Sequence, residues 1–349
     1  MIRRPGILLV GSFLSDLTGT RSVGEELSLH LSQRGWKTFQ TSSQPKRVLR
    51  LLDMLLSVFV NRHDYQLAYV EVYSGLAFLW AECVAQLLLL LRKPFLLVLH
   101  GGGLVEFSKR NPRRFMNFLN KARVVVTPSR FLQEHLLPYS GSIRYIPNAV
   151  DLDLYQFELR RTVTPKVVWL RALHSIYQPD MAVRATAIVM REFENIHITM
   201  IGPDKNDGSL SSVQRLIQES QLQTNVSIVG AIPKCEVPLW LARGDIFLNT
   251  TRYESFGISV LEAALIGLPI VTTAVGELPY LWQHDQTALL VQPDDASAMA
   301  DSILRLLNEP GLAEKLSTNA RLRAEQFDWS QILPQWESLF QELAGMETL

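Results

Sequence analysis

Short runs of continuous apolar residues alternate with stretches of helical periodicity along the 349-residue chain, and the pattern restarts once near its middle. The length also suits two domains of roughly 100–200 residues each. Together these observations predict an α/β fold of two Rossmann-like domains facing each other across a cleft. Apolar runs separated by helices indicate parallel strands covered on both faces.

In the first half, Ile7–Val10 reads as a buried strand running into Gly11. Val23–Gln33 carries apolar residues at Val23, Leu27 and Leu31, with Gly35 just beyond, and reads as a helix. Leu67–Val72, Phe95–Leu99, 124–126 and 143–146 are further strands, the last stopped by Pro147-Asn148. Residues 76–91 are the most apolar stretch, but they contain Glu82 and Gln86 and end at Arg92-Lys93-Pro94. They fall short of the ~20 residues a membrane span needs and read as a buried helix, with an interfacial segment as the alternative. Residues 160–166, rich in Thr and charge, read as a linker. Six strands follow, at 167–170, 196–201, 226–229, 246–248, 270–272 and 288–291, with helices between them at 211–219, 237–242 and 260–266. A last helical pattern runs from 327 to 343. In such folds ligands bind where strand C-termini meet helix N-termini.

Apolar residues make up 47% and charged residues 19%, which gives ample core and no signature of disorder. Lys+Arg and Asp+Glu both total 34, so the general basic excess of a polyanion binder is missing. The balance hides an asymmetry. Residues 1–150 hold 19 basic and 9 acidic side chains, whereas 151–349 hold 15 and 25. Two cysteines, Cys83 and Cys235, exclude a disulfide scaffold and a Cys-based zinc site. The opening Met1-Ile2-Arg3-Arg4-Pro5 and short apolar run do not make a secretory signal. The expectation is a cytoplasmic protein, with peripheral association at the inner face of the cell membrane as a further option.

The sharpest local signal is Glu254-Ser255-Phe256-Gly257-Ile258-Ser259-Val260-Leu261-Glu262, directly after the strand at 246–248. A strand, a glycine-containing loop and a helix offer free N–H groups and a helix dipole to a phosphate or sugar oxygen. Two carboxylates eight residues apart would sit in the loop and about two turns into the helix, suiting two ends of one extended ligand. The same spacing also suits a cap at Glu254 and a solvated Glu262.

Other strings are excluded or left open. His100-Gly101-Gly102-Gly103 matches an oxyanion-hole motif of hydrolases, but the Gly-x-Ser-x-Gly elbow they need is absent from the sequence. The same glycines fail the dinucleotide fingerprint, and there is no Walker motif. Lys109, Arg110, Arg113, Arg114, Lys121 and Arg123 are interleaved with Phe107, Phe115 and Phe118, and Lys46, Arg47 and Arg50 lead an apolar stretch at 45–61. Both suit an anionic lipid headgroup or an anionic acceptor, or else a solvated helix face over ordinary core. No nucleic-acid module is present in the sequence, so nucleic acid is not an expected partner.

The Glu-x7-Glu string followed by Ala, Gly267 and Pro269 resembles the signature of retaining glycosyltransferases of family 4, which have the GT-B fold. Further pieces fall in that family's order. Val98-Leu99-His100-Gly101 is similar to its His-Gly strand end, and 124–129 to its strand ending in Ser. Ile146-Pro147-Asn148-Ala149-Val150-Asp151 resembles its Pro-Asn-Gly-Val-Asp segment, with Ala149 for Gly. Thr199-Met200-Ile201-Gly202 and Ile228-Val229-Gly230 are similar to its two glycine-ended strands.

The resemblance implies an acceptor domain at 1–158, a nucleotide-sugar domain at 159–328 and a helix at 329–349 crossing back to the first. It implies that Glu262 holds ribose hydroxyls and that Glu254, with Ser255 and the amides of Phe256, Gly257 and Ile258, contacts donor sugar and diphosphate. By the same resemblance Arg171 pairs with the diphosphate, Gly202 and Gly230 let backbone approach the base and ribose, His100 lines the reacting sugar, and Gly19-Thr20 approaches the donor phosphates. Neither metal nor resident cofactor is implied. The donor is a nucleotide-diphosphate sugar, UDP first among the bases, and the acceptor a glycan or lipid-linked hydroxyl, with an anionic membrane surface as a further partner. One departure stands out: the family's Lys shortly after the Arg is missing, since no Lys follows Arg171 until Lys205. Arg252 and His174 are the candidate substitutes. The alternatives are a non-catalytic GT-B protein that binds a nucleotide sugar, and a nucleotide-sugar epimerase.

Overall fold

The computed structural model describes residues 5–19 and 21–345. The chain divides into two compact units, the first running to Ala149 and resuming at Trp329, the second spanning Val150–Asp328.

Unit 1 contains β1 (Ile7–Val10), β2 (Thr38–Thr41), β3 (Leu67–Val72), β4 (Phe95–Leu99), β5 (Val124–Thr127) and β6 (Arg144–Tyr145). Unit 2 contains β7 (Lys166–Leu170), β8 (His197–Ile201), β9 (Val226–Gly230), β10 (Ile246–Asn249), β11 (Ile270–Thr273) and β12 (Leu289–Val291). The two sheets run β2-β1-β3-β4-β5-β6 and β12-β11-β10-β7-β8-β9. Each strand pairing is parallel, from Ile7 opposite Thr38 to Thr273 opposite Val291.

The apolar runs form strands because both faces of each sheet are covered. In unit 1, Met54, Phe78 and Phe115 belong to one core cluster, and Leu31, Trp36, Trp336 and Phe340 to another. In unit 2, Trp169, Ile198 and Met299 share one cluster, and Phe247, Leu261 and Trp282 a second. Local chemistry sets the helix ends. Val23–Gln33 starts at a capping box, in which the Glu25 amide donates to Ser22 Oγ at 3.3 Å and the Ser22 amide donates to Glu25 Oε2 at 2.5 Å. The helix Trp329–Gly345 buries Trp329, Ile332, Leu333, Trp336, Leu339, Phe340 and Leu343 along one stripe. Trp336 meets Tyr69 of β3 edge-on at 5.5 Å, and Trp36 Nε1 donates to Glu337 Oε1 at 2.7 Å.

Three sequence expectations change. β2 was not among the expected strands: it is a short edge strand, Thr-Phe-Gln-Thr, and only Thr41 of it is buried, so it lacks an apolar run. The division between units falls at Ala149/Val150, not after residue 158. The reason is that 150–158 is held by unit 2: the Val150 amide donates to Phe327 O at 2.9 Å and the Glu158 amide to Ile266 O at 3.0 Å. The expected linker at 160–166 is likewise built in. Arg160 is buried, its amide donates to Ser317 Oγ at 3.2 Å, and its guanidinium lies 3.4 Å from Asp245.

Candidate functional site

In unit 2, β7 and β10 are sheet neighbours that the chain reaches from opposite directions, which makes their C-terminal ends a topological switch point. Arg171 follows β7 there, and the loop Thr250–Gly257 follows β10. The ends of β7, β8 and β9 are laced together, the Arg171 amide donating to Ile201 O at 3.0 Å and the Gly202 amide to Gly230 O at 2.8 Å. Gly202 has φ +145°, and a Cβ there would lie 1.9 Å from Arg171 O. Only glycine lets these two strand ends approach.

The Arg171 side chain is largely buried and ion-pairs with Glu254. Its Nε donates to Asn249 Oδ1 at 3.4 Å, and its guanidinium sits 5.2 Å from the centre of the Tyr177 ring. Burial lowers its pKa from the ordinary 12.5, while Tyr177 and Glu262 oppose that shift. The group is thus a cation held partly out of water, poised for an anionic oxygen.

Glu254 is buried in a loop fixed from several sides. Thr250 Oγ1 accepts from Trp169 Nε1 at 2.9 Å, Thr273 Oγ1 donates to Thr251 O at 2.6 Å, and the Arg252 amide donates to Ile176 O at 2.8 Å. The Glu277 amide donates to Glu254 O at 3.0 Å, and a Cβ on Gly276 would lie 2.0 Å from that oxygen. The Phe256 amide approaches Glu254 Oε1 at 3.4 Å. Phe256 packs edge-on against Phe327 at 5.8 Å, while Ser255 is half-buried beside it.

Gly257, at φ +101°, is the N-cap, and the helix runs Ile258–Ile266. Glu262 is therefore only a little over one turn into the helix, not the two turns expected. It is 2% exposed, neither solvated nor a cap. Its Oε1 accepts from Tyr155 Oη at 2.7 Å and ion-pairs with Lys234, whose side chain is 40% exposed. Ser259 Oγ, in the first helical turn, is buried with no hydrogen-bond partner in the structure.

The structure therefore gathers Arg171, Glu254, the 255–258 turn, Glu262, Gly202 and Gly230 along the strand ends and helix start of unit 2. Gly230 has φ +84° and open space where a Cβ would be, so backbone conformation alone asks for glycine there. Sequence reasoning missed Lys234 and Tyr155. Lys234 lies four residues beyond Gly230 and opens the 3-10 helix Lys234–Glu236 that follows β9. Neither expected substitute is as well placed: Arg252 makes a two-pronged pair with Asp294 (3.0 and 2.6 Å), and His174 Nδ1 accepts from the Ile176 amide at 3.1 Å. Among the described residues, no three His, Cys, Asp or Glu side chains gather as metal ligands.

His100 and Gly19 belong to unit 1. His100 directly follows β4, stacks on Tyr73 at 5.3 Å, and is 6% exposed with Nε2 unpartnered. Burial pulls its pKa down to about 4, so the imidazole is neutral at pH 7. Two residues before Tyr73, Glu71 of β3 is equally buried beneath Gly11 and Gly24, where added Cβ atoms would lie 2.4 and 2.6 Å from its oxygens. Burial raises its pKa to about 7, against partial relief from the Ser12 and Gly24 amides. Gly19, exposed at φ +69°, closes the short helix Ser15–Thr18. Thr20 lies outside the described residues.

Comparison with known proteins fits this arrangement. The family model described as Glycosyl transferases group 1 matches residues 156–323, and the model described as Glycosyltransferase Family 4 matches 25–154. A D-inositol 3-phosphate glycosyltransferase of Corynebacterium aurimucosum is 26% identical over 63% of this chain and 56% of its own length. The chain thus matches little more than half of that relative. Among solved structures, Anabaena HepE in complex with UDP and glucose superposes with TM-score 0.77 at 20% identity, covering 97% of this chain and 100% of that one. A sucrose-phosphate synthase of Thermosynechococcus elongatus gives TM-score 0.79 at 20% identity, covering 98% and 100%. With two parallel six-stranded sheets, a pair of buried carboxylates after β10 at the unit 2 switch point and family models matching both halves, the chain belongs to the group 1/family 4 glycosyltransferases of GT-B fold.

Proposed function

We propose that the chain transfers a hexose from a nucleotide-diphosphate sugar, with UDP as the nucleotide, to a hydroxyl of a glycan or lipid-linked acceptor, retaining the anomeric configuration and using no metal. The observation that carries this reading is the pair of buried carboxylates, each matched to its own cation, Glu254 to Arg171 and Glu262 to Lys234. A carboxylate accepts two hydrogen bonds from a diol, which suits Glu262 to ribose and Glu254 to the donor sugar. Arg171, Lys234 and the first amides of helix Ile258–Ile266 supply positive potential for a diphosphate. Lys234 supplies a cation in the same unit, where the family's Lys after the Arg is missing, and so supports the catalytic reading over a binding protein.

The chemistry follows from that distribution of charge. The bond from the anomeric carbon to the diphosphate oxygen breaks as the acceptor oxygen bonds to the same face. The acceptor proton passes to the departing diphosphate. The chain's own contribution is positioning and stabilisation of the charge developing on the diphosphate. On the acceptor side, the reading gives unit 1 a glycan or lipid-linked hydroxyl presented at an anionic membrane surface. The deciding experiment incubates the protein with UDP-, GDP- and ADP-sugars and follows released nucleotide. Slow hydrolysis of one donor supports the transferase. Thermal stabilisation by a donor with no turnover, even with acceptors supplied, sinks it in favour of a binding protein.

A further inference from the structure

The helix Arg47–Val60 in unit 1 has two apolar faces and only one of them is covered. Met54 and Val58 point into the core. On the other side, Val48 (73% exposed), Leu49, Leu52, Leu56, Phe59 and Val60 are all open to solvent. At about 100° per residue these six fall within an arc of roughly 120° that contains no charged or polar residue, directly opposite Met54 and Val58. Core packing does not account for such a stripe, and solubility opposes it. The neighbouring helix Leu76–Leu90 adds Leu76, Leu79 and Leu90, each exposed. The two helices meet where the Arg50 guanidinium lies 5.7 Å from the centre of the Trp80 ring.

Charge frames the apolar arc. Lys46 before the helix and Arg62 just after it stand at its two ends, and Asp53, the one acid between them, accepts a 3.4 Å hydrogen bond from Thr41 Oγ1. Arg62 lies over the Phe59 ring at 4.3 Å, so a cation accompanies the last large apolar group. The structure also sets aside the other candidate lipid face. Phe115 and Phe118 are buried, Phe107 packs on Phe78 at 4.3 Å, and Arg110 and Arg114 pair with Glu106 and Glu82. That stretch is a solvated face over core.

We propose that helix Arg47–Val60 docks on an anionic lipid bilayer, lying in the interface with Val48, Leu49, Leu52, Leu56, Phe59 and Val60 among the upper acyl chains. Lys46 and Arg62 then meet the anionic headgroups. No described helix is long and apolar enough to cross a membrane, so docking is at the surface. This inference does not depend on the transferase reading.

The test is co-sedimentation of the full chain with vesicles of phosphatidylcholine, alone and with roughly a third phosphatidylglycerol. Binding to the anionic vesicles, weakened at least tenfold in Leu52→Glu/Leu56→Glu, is the expected result. Lys46→Glu is expected to reduce the preference for phosphatidylglycerol severalfold. Both variants alter exposed side chains, and an unchanged melting midpoint verifies their folds. Failure to bind either vesicle overturns the proposal. So does equal binding by wild type and the leucine variant. A dimer in solution that the leucine variant disperses, without vesicle binding, overturns it in favour of a second copy of this chain on the same face.

Discussion

Lys234 and Glu262 form an ion pair across 28 residues of sequence, and the Glu262 side chain is almost wholly buried while that of Lys234 stays 40% exposed. The acid is a fixed part of the unit 2 site and the base sits at its rim. On the proposed reading, the donor's diphosphate meets this cation.

Lys234→Ala is expected to weaken UDP binding about tenfold or more, the scale of one charge-assisted hydrogen bond. Lys234→Arg should restore part of it. Isothermal titration with UDP measures both, and an unchanged affinity in the alanine variant would remove Lys234 from the site.

The two carboxylates should separate in kinetics. Glu262→Ala is expected to weaken nucleotide binding, since it also leaves Tyr155 Oη and Lys234 without their shared partner. Glu254→Ala is expected chiefly to lower turnover, by freeing Arg171 and removing the sugar contact. Normal kcat and KM in both variants would dissolve the site as assigned.

Gly276→Ala should damage the site without touching a charged group. Its Cβ would lie 2.0 Å from Glu254 O, at φ +54°, so the Glu254 loop must shift. A loss on the order of 2–4 kcal/mol is expected, seen as a lower melting midpoint.

Two buried groups of unit 1 have opposite pH signatures. Glu71 keeps its proton up to about pH 7, whereas an unfolded Glu loses it near 4.5. The folded state therefore binds more protons across that window, and Glu71 costs stability as pH rises through it. His100 titrates near 4 when folded and 6.5 when not, so the unfolded state binds more protons there, and stability rises between those values. The two slopes offset each other from about pH 4.5 to 6.5. Glu71→Gln should unmask the His100 slope at acid pH and stabilise the protein at pH 8, by up to about 3 kcal/mol. Melting curves at pH 5, 6.5 and 8 decide this; identical wild-type and variant profiles would exclude it.

Much of the architecture was legible because buried parallel strands are continuous apolar runs. All six strands of unit 2 lie where such runs predict them, as do β1, β3, β4 and β5 in unit 1. β2 was illegible because an edge strand needs no such run, and the supposed linker because a buried Arg160 reads as a surface residue in any linear scan. In the site, Glu254 and Glu262 announced themselves by spacing, helped by Gly257. Lys234 and Tyr155 did not. They reach Glu262 from 28 and 107 residues away in the chain, and only the folded sheet order brings those segments to one carboxylate. Gly276 was invisible for the same reason, since its constraint is the approach of another backbone.

The helix Trp329–Gly345 completes a core cluster whose other members, among them Ile7, Leu31 and Trp36, are made in the first half of the chain. During synthesis those residues emerge some 300 positions ahead of the tryptophans and phenylalanine that cover them. Unit 2, whose residues are contiguous, can close on itself while the first sheet still waits with one side bare. Ribosomes that stall or terminate before residue 329 release a polypeptide with an open apolar flank, a substrate for chaperones and proteases.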